Sequence, residues 1–173
     1  MDPVMVGLRL LHIGAGVMWV GAAWMLVLFV QPTARALGPE VERTFSNYIL
    51  RRRRLAPTIL VATLLTVGAG TALLAIDISR VGAQLWFSTG TGIGLTVGAL
   101  AAIGSFLLGP TVIIPLANRL EKVSTDVANA GVSPTDGQAA ELTRVGNRLR
   151  TVLAWDSALL VVAVALMAIS RYI

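Results

Sequence analysis

The chain contains one histidine, His12, inside the long apolar run LRLLHIGAGVMWVGAAWMLVLFV, with Arg9 one helical turn before it. An imidazole can ligate haem iron or another metal, move a proton, or act as a hydrogen-bonding pin. Its setting matters because an ionisable group among hydrocarbon is costly and marks a functional candidate. Arg9 is near enough to the start of the run to snorkel, and it can also bind an anionic edge such as a haem propionate or a lipid phosphate. Trp19 follows His12 by seven residues, so the two share a helical face, which Met5, Gly16 and Ala23 extend. A histidine, a small residue one turn on and an aromatic beyond it can admit a flat macrocycle or hold a metal. They can equally be a polar residue packed against neighbours.

The rest of the inventory narrows that chemistry. Cysteine is absent, which removes disulfides, thiolate metal sites, iron-sulfur clusters and cysteine nucleophiles. A zinc site normally takes three or four protein ligands and a catalytic triad needs more partners, so the reading leans away from an enzyme. One histidine supplies one axial ligand, which makes haem b the candidate cofactor and His12 the candidate metal ligand. Met5, Met18, Met25 and Met167 are soft donors, although methionine in membrane helices is usually filling. Asp156 stands alone in the last apolar run, at a depth similar to that of Trp19, whose indole could satisfy it with a hydrogen bond. Asp77 and Arg80 are spaced for an i,i+3 ion pair.

These residues sit on a chain that is 55% hydrophobic and only 13% charged, against roughly 25% charged in an ordinary soluble domain. Four stretches, near 4–31, 56–76, 89–116 and 151–170, reach the twenty or so residues a helix needs to cross a bilayer. The expected fold is therefore an all-α, polytopic four-helix transmembrane bundle forming a single membrane domain. The start MDPV carries no basic residue, so the first stretch reads as a span rather than a cleaved leader.

The connections 33–54 and 118–150 hold Arg35, Arg43, Arg51, Arg52, Arg53, Arg54, Arg119, Lys122, Arg144, Arg148 and Arg150, whereas the other side holds Arg9, Arg80 and Arg171. Basic flanks stay cytoplasmic, which puts both arginine-rich loops inside and both termini outside a bacterial-type inner membrane. The charge then reads as topology and contact with anionic lipid, not nucleic-acid binding. Pro39, Glu40 and Glu42 suit the start of a short surface helix through Tyr48, with Phe45, Ile49 and Leu50 touching lipid or bundle. The RRRR run at 51–54 then meets the headgroups. Ser133-Pro134-x-Asp136 opens a long fourth helix of about 55 Å, so a helical hairpin should protrude from the roughly 30 Å hydrocarbon layer. Pro110 and Pro115 should kink span three.

Two glycine patterns are candidates for helix packing. Gly7, Gly14 and Gly21 recur every seven residues, about 140° from the His12 face, and suggest a close-contact seam. Gly90, Gly94 and Gly98 form consecutive GxxxG steps, which suit tight packing or a homo-oligomer.

The segment LHIGAGVMWVGAAWMLVLFVQPTARAL, with LH, then W-x-G, then a proline and an arginine, resembles the first span of several small bacterial membrane proteins. They are copper resistance protein D-like proteins, the membrane protoporphyrinogen oxidases, and a four-span predicted integral membrane family of unknown function. The third is similar over the whole length, including TGIGLTVGALAAIGSFLLGPTVIIPLANRL. The oxidase resemblance implies that His12 is associated with haem, and the copper resistance resemblance implies metal passage. Three readings follow: a cofactor-binding membrane protein using His12, Arg9 and Trp19; a non-catalytic scaffold assembling through glycine faces in a membrane complex; and transport of copper or a small molecule.

Overall fold

A computed structural model describes residues 2–49, 54–131 and 133–173. The described chain is almost wholly helical, with no strand among the described residues. Six helices follow in order: α1 (Pro3–Ala36), α2 (Pro39–Asn47), α3 (Leu55–Val81), α4 (Ala83–Trp86), α5 (Gly90–Ala130) and α6 (Asp136–Tyr172). Of these α1, α3, α5 and α6 are long and apolar enough to cross a membrane, so the chain is an all-α multi-pass membrane protein. In hydrocarbon each backbone N–H and C=O must be satisfied within the protein, and a continuous helix does this by itself.

The helix ends carry recognisable stop and start chemistry. Asp2 caps α1 by accepting from the Val4 N–H at 3.0 Å, with Pro3 in the first helical position. α2 opens at Pro39 as expected. The start of α6 differs from expectation: Thr135, not Ser133, is the N-cap, and Thr135 and Gln138 form a reciprocal capping box. The box satisfies two orphan donors at once. Leu50, expected to touch lipid or bundle, and Arg51, Arg52 and Arg53, expected at the headgroups, lie outside the described residues.

Both odd-numbered spans carry a π-helical turn, Leu26–Val30 in α1 and Gly109–Ile113 in α5. In each, a proline follows two residues after the turn, Pro32 and Pro115. A helical proline gives no N–H and its ring crowds the carbonyl four residues back, and widening the helix by one residue per turn relieves that crowding. The expected disturbance in span three is thus a π turn, and α1 has a matching one.

The spans assemble as two close pairs, α1 with α3 and α5 with α6, joined by lighter contacts of α3 with α5 and of α1 with α6. All four meet at one cluster, in which Trp19, Ala62 and Leu160 are buried and Val20, Ala23, Ile59, Val67 and Phe106 pack around them. At the arginine-rich end α5 and α6 continue as a hairpin, held where Glu141 receives Arg119 at 2.6 Å and Arg144 at 2.5 Å. The accessible surface is 10921 Å², whereas a folded soluble protein of this mass exposes about 8,100 Å². Much of the surface is apolar, as at Leu10, Phe29 and Trp155, which suits a hydrocarbon solvent.

The glycines divide differently from expectation. A methyl group at Gly94 would meet Ile173 Cδ1 and Ser170 Cβ at 3.3 Å, and one at Gly98 would meet Met167 Cγ at 3.2 Å and the Ala163 carbonyl at 3.3 Å. The GxxxG stripe is therefore spent inside the chain, against α6. A methyl group at Gly7, Gly14 or Gly21 would meet nothing within 4 Å among the described residues, so this heptad is open surface and α1 packs instead through the His12 face.

Two outcomes are expected. Gly98→Leu should lower stability by about 1–3 kcal/mol through overpacking against a backbone carbonyl, read as an earlier unfolding midpoint in mixed SDS micelles. Gly14→Leu should stay within about 0.5 kcal/mol of the parent. At the terminal end, Arg80 pairs with Asp2 at 2.8 Å rather than with Asp77, which tethers α3 to the start of α1. The Arg80 hydrogen bond holds the Asp2 carboxyl below the usual aspartate range. This contribution is fully present above about pH 3.9 and is lost as pH falls through the depressed value. Arg80→Ala should return the Asp2 titration, followed by NMR, toward the ordinary range.

Candidate functional site

His12 projects from α1 onto α3. Its Nδ1 lies 2.8 Å from the Thr66 carbonyl oxygen. A carbonyl only accepts, so Nδ1 carries the proton and, in the neutral ring, Nε2 carries the lone pair. Among the described residues no hydrogen-bond partner meets Nε2.

The seat for the ring is made by Gly70. A methyl group on Gly70 would lie 2.7 Å from His12 Cε1 and 2.8 Å from Nδ1, so any larger residue would collide with the imidazole. Thr66 and Gly70 are i,i+4 on α3, as His12 and Gly16 are on α1. The two pairs interlock antiparallel: His12 rests on Gly70, and Thr66 Cγ2 lies 3.5 Å from where a Gly16 methyl would be. The Thr66 hydroxyl is itself satisfied by the Ala62 carbonyl at 2.8 Å, and Thr63 by the Ile59 carbonyl at 2.7 Å. Both threonines are buried without an unmet donor.

The other candidate residues are placed differently from one another. Arg9 is exposed and forms no ion pair among the described residues. Trp19 is 5% exposed within the four-helix core, two helical turns beyond His12, and so packs the bundle rather than flanking the imidazole. Asp156 is buried, but its donor is Ser105, whose Oγ lies 2.5 Å from Oδ1. The expected Trp19 indole bond is therefore corrected. Ser105 and Asp156 tie α5 to α6, whereas Trp19 belongs to α1 and turns toward Ala62 and Leu160.

Sequence reasoning missed Thr66 and Gly70. The signal that could have found them is the T-x-x-x-G spacing in TVGAG of span two, which mirrors H-x-x-x-G in span one. It also missed Trp86, buried in the short helix α4, whose indole donates to Thr96 Oγ1 at 3.0 Å and pins the connection between α3 and α5.

What these groups can do is bounded. Among the described residues no cluster of three or more histidine, cysteine, aspartate or glutamate side chains could hold a metal ion. A single imidazole with Nδ1 anchored and Nε2 unpartnered among the described residues offers one donor atom for a ligand. Two shallow depressions, about 340 Å³ beside Asn118, Glu121 and Asp126 and about 550 Å³ beside Val81, Gln84 and Ser88, are lined by residues remote from both polar sites.

No protein-family model, curated protein or solved structure matches the chain.

The seat makes a double-mutant prediction. Gly70→Ala should destabilise the parent by about 1–3 kcal/mol by displacing the imidazole, but should cost little in a His12→Ala background, where the space is free. An equal cost in both backgrounds, measured by unfolding in mixed micelles, would show that the ring is not what Gly70 accommodates.

Proposed function

We propose that the chain is a bacterial-type inner-membrane protein in which His12 Nε2 provides one axial ligand to a haem b-type or related metal centre. The observation that carries this is the anchored Nδ1 and unpartnered Nε2 of His12. Protein ligands to metals characteristically give their second ring N–H to a carbonyl or carboxylate, which fixes the tautomer and the ring plane. The resemblance of the first span to haem-associated membrane oxidases supports the same reading.

A haem would supply a redox couple there. The chain's own part is to present Nε2, to hold the ring through Thr66 and Gly70, and to offer Arg9 to an anionic edge. With one imidazole per chain, a second histidine ligand would have to come from a second copy or another membrane protein. The distribution of arginines supports termini outside and arginine-rich loops in the cytoplasm against anionic lipid.

A second reading, an accessory protein that assembles through a helix face, is supported by the open Gly7, Gly14 and Gly21 heptad. It needs no cofactor.

Protein purified without added haem should show a Soret band and a pyridine hemochrome spectrum, and His12→Ala should lose both. Absence of the band before and after reconstitution with haem would sink the haem reading. A scaffold would instead tolerate His12→Ala and lose assembly on Gly14→Leu.

A further inference from the structure

Asp156 is the buried carboxyl that the reading of His12 does not use. It is 7% exposed, midway along α6, and the Ser105 hydroxyl of α5 is its hydrogen-bond partner at 2.5 Å. No cation pairs with it among the described residues. The segments around it carry no other charge: none in 10–34 of α1, 55–76 of α3, 90–118 of α5 or the rest of 151–170 of α6. The nearest basic residue along its own helix is Arg150, six residues or about 9 Å toward the arginine-rich end. A lone carboxylate with one neutral donor is expensive in such surroundings, whereas the same group with a proton is not.

The geometry points to Asp156 as a proton-binding site within the span, reached from the arginine-rich end of the bundle and positioned by Ser105. A hydroxyl can donate to a carboxylate oxygen and can also accept from a carboxylic acid, so the α5–α6 link survives both states of the site. The contact therefore lets a proton come and go without parting the helices.

The surrounding backbone supports access from that end. Four residues beyond Ser105, α5 enters the π turn Gly109–Ile113, which contacts α6. Pro110 and Pro115 have no N–H for the carbonyls of Phe106 and Thr111, so two backbone oxygens lose their ordinary donors between Ser105 and the arginine-rich end. Irregular backbone at membrane depth is tolerated where it is enclosed by protein or lines a polar path. The proposal is independent of the His12 reading.

Dicyclohexylcarbodiimide tests it on the full chain in lipid vesicles. The carboxylic acid proton passes to a carbodiimide nitrogen, the carboxylate oxygen adds to the central carbon, and the acyl group of the O-acylisourea migrates to nitrogen as a stable N-acylurea. A carboxylate lacking its proton does not begin this sequence. Peptide mapping should find the adduct on Asp156, and its formation rate should fall about tenfold per pH unit above the midpoint. Asp156→Asn, which keeps the shape and the Ser105 contact, should abolish it. Ser105→Ala should move the midpoint and Ser105→Thr restore it, a reversal that a purely packing role for Ser105 would not give.

Because a bulky reagent can be excluded, the carboxylic C=O stretch is followed in parallel by infrared difference spectroscopy. A band that titrates with pH, shifts in D₂O and disappears in Asp156→Asn supports the site. No titrating band from Asp156 across the pH range in which the protein stays folded in the vesicles overturns it, whatever the labelling result. Protection from labelling by sodium at constant pH, without protection by choline, also overturns it in favour of a sodium site.

Discussion

The structure depends on how closely helix backbones can approach in a solvent as apolar as their own side chains. Lipid gives little hydrophobic reward for bringing two such helices together, so association rests on van der Waals packing and interhelical hydrogen bonds. Both require short distances. In the α5–α6 pair Gly94 and Gly98 leave room for Ser170, Met167 and the Ala163 carbonyl, and Gly104 lies against Leu159. In the α1–α3 pair Gly70 leaves room for an imidazole. The four-helix junction at Trp19, Ala62 and Leu160 then fills the middle of a bundle whose two halves are otherwise lightly joined.

Close approach also decides how polar groups are satisfied. Thr63 and Thr66 return their hydroxyls to carbonyls of their own helix, which leaves the Thr66 carbonyl to meet His12 from the neighbouring helix. Ser105 meets Asp156 across the second pair. Within its apolar stretches each pair thus contains an interhelical polar contact beside a close glycine approach, and each of these two contacts involves an ionisable group. Surface pairs such as Arg119–Glu141 bind the protruding hairpin more weakly, because water screens them.

Much of the architecture was legible as pattern. Apolar runs of spanning length, prolines at helix starts and an arginine-rich pair of connections are local properties, and they led to four spans with a protruding hairpin. Boundaries shifted where capping patterns overlapped: Thr135 with Gln138 caps the helix in place of Ser133 with Asp136. The face of α1 that carries His12 was also readable from its seven-residue spacing. Its partner was not, because Gly70 belongs to a different span and a glycine announces nothing about what it makes room for.

Sequence by itself determined that this is a helical multi-pass chain, because hydrocarbon demands self-satisfied backbone and roughly twenty apolar residues per crossing. It also determined that one imidazole and one carboxyl are the ionisable candidates inside the apolar stretches, because composition leaves only Arg9 besides them there. Only the tertiary structure decided their partners. The heptad glycines of α1 looked like a seam and are open, while the stripe of α5 that could have served an oligomer is filled by α6. Asp156 takes its hydrogen bond from Ser105 and not from Trp19, because the rotation of α1 turns the indole into the core. Helical periodicity says which residues share a face, but the face a neighbour meets depends on the rotation and register of both helices, and those are properties of the assembled bundle.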